Sequence, residues 1–235
     1  MTIYVGMDDT DMPGTRGTGK LANSIVKVLD KKYPSYAITR HQLFVSDDIK
    51  YTSHNSNAVI HVNASGEEAC KDIFEIVKAE MLADFIEGSD PGLAVADAEQ
   101  ILPPVIVMSQ DTKYKVITQE QVKTVAKNTG ILLEPLGGTG DGIIGAMAGL
   151  GLACTNDDGR YLLKDNLRKI RDSTDVEELL KSGVDSVYLP DGREVKSGII
   201  RIRENQYPKP SPVCGKSVLF VNELENGEYK AYMRR

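Results

Sequence analysis

Tryptophan is absent from the 235 residues, and histidine and cysteine occur only three times each. Cys70, Cys154 and Cys214 are widely spaced with no CxxC pair. That spacing excludes a disulfide framework and a zinc knuckle, and three scattered histidines supply no zinc site. A reducing, intracellular home is the simplest expectation. Long hydrophobic runs are missing as well: the most apolar stretch, 142–153, is short and glycine-rich, against the roughly 18 apolar residues of a membrane span. The chain passes from Met1-Thr2-Ile3-Tyr4 straight to Asp8 with no basic-then-apolar leader, so the expectation is a cytoplasmic protein with no membrane partner.

Positive charge is scarce too. The net charge is -6 and the pI about 5.2, which excludes a polycation that coats nucleic acid along its whole length. The deficit is uneven: from Arg193 to Arg235 nine Lys or Arg stand against five acidic residues, leaving -10 for the remainder. Such a basic end permits a local contact with a polyanion and equally serves solubility alone.

What is present is ordinary globular composition, with 41% hydrophobic and 26% charged residues, enough to bury a core in one large domain or two small ones. Residues 2–7 alternate and favour β structure, 8–19 read as a long Asp, Thr, Gly and Pro turn, and Leu21, Ala22, Ile25, Val26 and Leu29 recur at helical spacing. Strands are predicted over 37–45 and 57–62, and a helix over 67–85 opened by a capping box of Ser65 and Glu68. A short apolar segment follows the Asp90-Pro91-Gly92 turn, and a helix is predicted near 118–127. Hairpins are expected to turn at Asp191-Gly192 and Asn226-Gly227, the latter joining 217–221 to 229–233, with a helical stretch over 176–181. The fold class is α+β. Pro103-Pro104 and the change of pattern after it set a domain boundary near 112, giving units 1–112 and 113–235.

The densest chemistry lies directly after the first strand. Asp8, Asp9 and Asp11 fall within four positions, where they raise one another's pKa unless a cation or donors intervene. Magnesium fits such a set, because it prefers hard oxygen ligands and is shared between one or two carboxylates and substrate phosphates. Asp8 or Asp9 is expected to point inward while Asp11 reaches across the loop. Gly17, Thr18, Gly19 and Lys20 follow, glycines that let N–H groups turn toward an anion, a helix N-terminus and a mobile cation. The stretch is not a Walker A loop, since Leu21 stands where Ser or Thr must follow the lysine. A solvated acidic turn with Thr18 capping the helix would use the same residues.

Other candidates are spread along the chain. Tyr51-Thr52-Ser53-His54-Asn55-Ser56-Asn57 gathers hydroxyls, amides and an imidazole, suited to ribose, phosphate or a base edge and also to ordinary surface loop. His41 reads as a strand-surface residue and His61 as core. Asp90 sits in a tight turn from which it could meet the first cluster. The run 137–151 carries seven glycines, each costing about 1 kcal/mol inside a helix relative to alanine. Gly145 and Gly149 suit close helix packing, while Gly138 to Gly142, with Thr139, Gly140 and Asp141, suit an anion nest. Cys70 and Cys154 read as small buried hydrophobes, and Cys214 as a partly exposed thiol with no histidine following it.

Taken in order, Gly6-Met7-Asp8-Asp9-Thr10-Asp11, Gly17-Thr18-Gly19, Asn57-Ala58-Val59, Asp90-Pro91-Gly92 and the segment from Gly140 to Ala148 resemble the archaeal tRNA(Ile) agmatinylcytidine synthetase family over most of the chain. The resemblance implies a kinase-like N-terminal domain followed by a ferredoxin-like domain, here 1–112 and 113–235. It implies use of ATP and magnesium to activate carbon two of a wobble cytidine, which agmatine then attacks. By this resemblance Asp8, Asp9 and Asp11 are the metal aspartates, Asp9, Asp11 and Thr18 carry the chemistry, and Thr18 is the threonine that becomes phosphorylated. Gly17, Gly19, Lys20, Asn57, Asp90, Gly140 and Asp141 are the expected nucleotide contacts. Gly17 and Gly19 stand where the family has Cys and Thr, and Asp141 where it has an arginine. The family's OB-fold and zinc ribbon have no counterpart in the sequence, so a shortened relative is expected.

The reading is therefore a magnesium- and ATP-dependent phosphoryl-transfer or ligase-type enzyme related to tRNA processing. Its acceptor is left open between RNA and an amine-bearing small molecule, with a separate RNA-binding protein as a further partner. The alternatives are a noncatalytic module that binds RNA or a small metabolite, and a subunit of a larger complex.

Overall fold

In the computed structural model, residues 1–49 and 54–232 are described. Tyr51, Thr52, Ser53, Met233 and Arg235, which fall in segments read above, lie outside them. The chain divides into two compact units, 1–155 and 156–235. Among the described residues no helix is long and apolar enough to cross a membrane.

The first unit starts as β1 (Ile3–Asp8), α1 (Thr18–Leu29), β2 (Ser35–Gln42), β3 (Ser56–Val62), α2 (Glu67–Ala83) and β4 (Gly92–Asp97). These strands lie in the order β4-β1-β3-β2, and every neighbouring pair is antiparallel. A βαββαβ chain in this order is the split-βαβ, ferredoxin-like arrangement. It occupies 3–97, whereas the sequence reading expected it in 113–235. The unit continues with α3 (Pro103–Asp111), α4 (Gln119–Thr129), β5 (Leu132–Pro135), which pairs antiparallel with β4, and α5 (Gly142–Cys154).

Both faces of this sheet are covered, which is why β4 is buried along its whole length rather than alternating in and out as a half-solvated antiparallel strand would. Helices α1 and α2 pack against β2, β3 and β4. On the other face α5 runs over β1, β3 and β4, with α3 and α4 behind it. Tyr4, Val59, Ala94 and Ala96 of the sheet share a core with Ile143, Ala146, Met147 and Leu150 of α5.

This arrangement corrects the boundary near 112. Cutting there would strip α5 from the sheet and expose the core it closes, because the glycine-rich helix belongs to the sheet that begins at Ile3. The double proline that suggested a border is an N-terminal signal instead, since Pro103 and Pro104 occupy the first turn of α3, where a missing N–H costs nothing. Two smaller expectations also change. Ser65 does not cap α2, whose N-cap is Gly66 in a positive-φ conformation with no side-chain cap, its N–H donated to Asp97 at 2.9 Å. His41 is fully buried, because α5 covers the face it points from; Thr39 Oγ1 lies 2.8 Å from its Nε2 and 2.9 Å from that of His61.

The second unit contains β6 (Arg160–Lys164), β7 (Ser173–Asp175), α6 (Val176–Lys181), β8 (Ser186–Tyr188), β9 (Ile199–Arg201), β10 (Ser211–Val213), β11 (Lys216–Glu223) and β12 (Tyr229–Tyr232). Its strands run β10-β11-β12-β9-β7, with β8 parallel to β11. Asn226-Gly227 turns the β11–β12 hairpin as expected. Leu179, Val187, Ile200, Leu219 and Val221 lie in its core. The basic end of the chain is partly neutralised there by Arg193 with Asp191 and Arg201 with Glu228.

Candidate functional site

Because β1 is antiparallel to β3 and β4, the end of β1 meets the starts of its two neighbours, and Asp8, Asn57 and Gly92 share one edge of the sheet. A cleft of about 410 Å³ opens at this edge. Asp8, Asp9, Asp11 and Thr18 line it, together with Gly142, Ile144 and Gly145 from the first turns of α5. Its far wall comes from the loops after β2 and between α3 and α4, where Leu43, Ile117 and Lys115 face the same space.

The three aspartates stand in different environments. Asp8 keeps some exposure as a residue, yet the protein packed around its carboxylate pushes its pKa up to about 7, with Asp9 and Asp11 adding repulsion. Asp9 is raised to about 6, first by burial and then by the charges of Asp90, Asp11 and Asp141. Its backbone is left-handed, with φ of 49°, a conformation Asp tolerates better than most side chains. Asp11 accepts a hydrogen bond of 2.9 Å from the Thr18 hydroxyl, which itself accepts one of 3.1 Å from Thr10. Thr18 is the first residue of α1 and is buried. Asp8 and Asp9, pushed toward neutrality by burial and neighbouring carboxylates, are donors that a hard cation suits. Among the described residues no three His, Cys, Asp or Glu side chains are gathered as a ready-made metal cage.

Of the other expected contacts, some line the cleft and others serve the frame. Gly17 and Gly19 flank Thr18 and, with the exposed Lys20, do not line the cleft. Asn57 is buried and donates its Nδ2 to the Gly145 carbonyl at 2.8 Å, fastening α5 to β3; its Oδ1 has no hydrogen-bond partner among the described residues. Asp90 accepts from the Thr139 and Gly140 N–H groups at 3.0 and 2.7 Å and from the Thr139 hydroxyl. The anion nest read from the glycines is thus filled from within by Asp90. Gly138 and Gly140, with φ of 59° and 89°, turn the loop around that carboxylate. Asp141 lines the cleft and accepts from Gln119 at 2.7 Å. From the polar loop before β3, His54 and Asn55 reach the cleft, with Ser56 at the start of that strand.

Sequence reasoning missed Arg40 and the α3–α4 loop. Arg40 lies in β2, donates to Ser56 at 2.8 Å and is drawn below its ordinary pKa by burial while Asp11 and Asp8 oppose that shift. An arginine inside the strand predicted over 37–45 was the available signal, since a charge in a strand that becomes covered needs a partner. Lys115, Ile117 and Gln119 had only the capping box of Thr118 and Gln121 to mark their position before α4.

No family model matches the chain, and no curated protein matches it by sequence. Solved structures do. Apo TiaS, an isoleucine-tRNA agmatidine synthetase, aligns with a TM-score of 0.56 at 18% identity, over 64% of this chain and 35% of that one. A tRNA fluorescent labeling enzyme aligns at 0.55 and 20% identity, over 64% and 36%. TiaS in complex with isoleucine tRNA and ATP aligns at 0.55 and 19% identity, over 64% and 36%. The chain spans about a third of the length of these structures, and the likeness is one of fold.

Proposed function

We propose that the cleft at the Asp8 edge binds a magnesium nucleotide, ATP foremost, and that the protein is an ATP-dependent transferase or ligase related to tRNA processing. The observation that carries this reading is the convergence on one cleft of Asp8, Asp9, Asp11, Thr18 and the N-terminus of α5. A 13-residue helix presents partial positive charge at that end, which favours a phosphate. The fold shared with TiaS, one of whose structures holds tRNA and ATP, supports the same ligand.

In this reading Asp8, Asp9 and Asp11 would hold the magnesium, with Asp8 and Asp9 as donors of raised basicity, and the metal would neutralise phosphate charge. Asp11 receives the Thr18 hydroxyl proton in its hydrogen bond and orients that oxygen toward the cleft. Asp90, Asn57 and Gln119 do not touch the nucleotide; they position the loop and helix that do. Apolar walls from Leu43, Ile117 and Ile144 exclude water from one side. The acceptor is an RNA or an amine-bearing small molecule, and an RNA acceptor brings in a separate RNA-binding protein.

Calorimetry of ATP with magnesium against the wild-type protein and Asp9→Asn tests the reading. Binding is expected in the wild type and a loss of at least about tenfold in the variant, equivalent to about 1.4 kcal/mol. Folded wild-type protein that gives no heat with magnesium ATP would sink the reading.

A further inference from the structure

The loop from Asp9 to Gly17 contains one cation whose donors are committed inside the protein. Arg16 is largely covered, with a side-chain exposure of 19%. Its Nε donates to the Asp84 carboxylate and its Nη2 to the Asp84 carbonyl at 2.6 Å, at the C-cap of α2. Its Nη1 turns back into the loop, donating to the Thr10 carbonyl at 2.9 Å and to Thr10 Oγ1 at 3.3 Å. The intervening turn is closed on itself, with Thr15 Oγ1 accepting from Met12 N–H at 2.9 Å and donating to Met12 O at 2.8 Å. Arg16 therefore ties the loop to a helix end across 68 residues of sequence.

The consequence lies at Thr18. A guanidinium can only donate and an ionised carboxylate can only accept. Between those ends stand two hydroxyls, each able to do both. With Arg16 donating to Thr10 Oγ1, the Thr10 proton goes on to Thr18 Oγ1 at 3.1 Å, and the Thr18 proton to Asp11 Oδ1 at 2.9 Å. Thr10 and Thr18 are 2% and 8% exposed, so water competes little for these bonds. The chain Arg16–Thr10–Thr18–Asp11 thus has one polarity, and its third member lines the cleft.

We propose that Arg16, anchored by Asp84, is a positioning residue that sets the orientation and proton direction of the Thr18 hydroxyl. The proposal rests on the nucleotide-handling reading for its catalytic consequence, while its structural content stands separately. Arg16 touches no substrate in it; it acts through Thr10.

The test compares Arg16→Gln, Arg16→Lys, Thr10→Val and the Arg16→Gln/Thr10→Val double variant. Magnesium ATP affinity is expected to stay within about threefold in all of them, while turnover falls about 10- to 100-fold, as misplacement of a reacting group by about 1 Å does. Arg16→Lys is expected to recover part of the loss. The double variant is expected to be no slower than the worse single one, since residues in one hydrogen-bond chain are not additive. Unchanged turnover in Arg16→Gln, or losses that simply add, would overturn the proposal. A second readout needs no turnover: the carbon-13 methyl resonance of Thr18 is expected to move in both single variants while core methyls stay in place. A Thr18 methyl unmoved in both would overturn the positioning role. A wild type that binds no ATP, with the methyl shift intact, would remove the nucleotide reading and leave the Arg16 linkage standing.

Discussion

The carboxylate of Asp8 lies in the space that a side chain on Gly145 would need. A Cβ built on Gly145 overlaps Asp8 Oδ2, and the same close approach recurs along this contact, where a Cβ on Gly6 would run into the Ala146 carbonyl and one on Gly92 into the backbone of Gly142. Helix α5 lies this low because glycine faces it on both sides, and its depth places its N-terminus at the carboxylates.

Gly145→Ala should expose this relationship. Alanine in a helix interior ordinarily gains about 1 kcal/mol over glycine. Here overpacking reverses the sign, with an expected net loss of about 1–3 kcal/mol in urea unfolding, together with weaker ligand binding. A midpoint at or above that of the wild type would mean that Asp8 is free to move aside.

The pH dependence of the metal-free protein follows from Asp8. Its pKa is about 7 folded against 3.8 as the ordinary value. Below pH 4 the group is protonated in both states and carries no penalty. Between pH 4 and 7 the unfolded chain ionises and the folded one does not, so stability falls as pH rises and the loss is complete above about 7. Three pKa units set an upper limit of about 4 kcal/mol, which the residual exposure of Asp8 reduces. Asp9, raised to about 6, acts in the same direction. Chemical denaturation at pH 5 and pH 8 should show the fall, Asp8→Asn should flatten most of it, and added magnesium should recover stability at pH 8. A pH-independent wild type would contradict the placement of Asp8.

Asp90→Ala should act through the loop it fills. Removing the carboxylate releases the Thr139 and Gly140 N–H groups, at a cost of about 1–3 kcal/mol, the range for bonds to a charged group. It also takes away a like charge that raises Asp9, so the Asp9 pKa should drop, as carboxyl NMR titration would report. An unchanged unfolding midpoint would show that the loop holds without its anion.

Much of this was legible in the sequence. The strand before Asp8, the helices predicted over 20–29 and 67–85, the Asn226-Gly227 hairpin and the helix at 176–181 all follow from periodicity and turn chemistry, which are local properties. The carboxylate cluster with Thr18 was legible for the same reason: these residues are neighbours along the chain. Legibility failed where the partner is distant. The family resemblance made Asp90 and Asn57 expected nucleotide contacts, and nothing local showed that they hydrogen-bond Gly140 and Gly145, 50 and 88 residues away. His41 was placed on a surface because nothing near it in sequence shows that α5 covers that face.

The sequence alone determined a strand ending in a carboxylate cluster, a threonine at the next helix start and a glycine-rich helix in need of close packing, because each depends on side-chain type and local spacing. Only the tertiary structure decided that this helix lies over the same strand, that the first unit runs to 155 rather than 112, and that the cleft takes its far wall from the α3–α4 loop. Those outcomes depend on which surfaces bury each other, and the glycines that allow the closest contact leave no side chain from which their partner could be read.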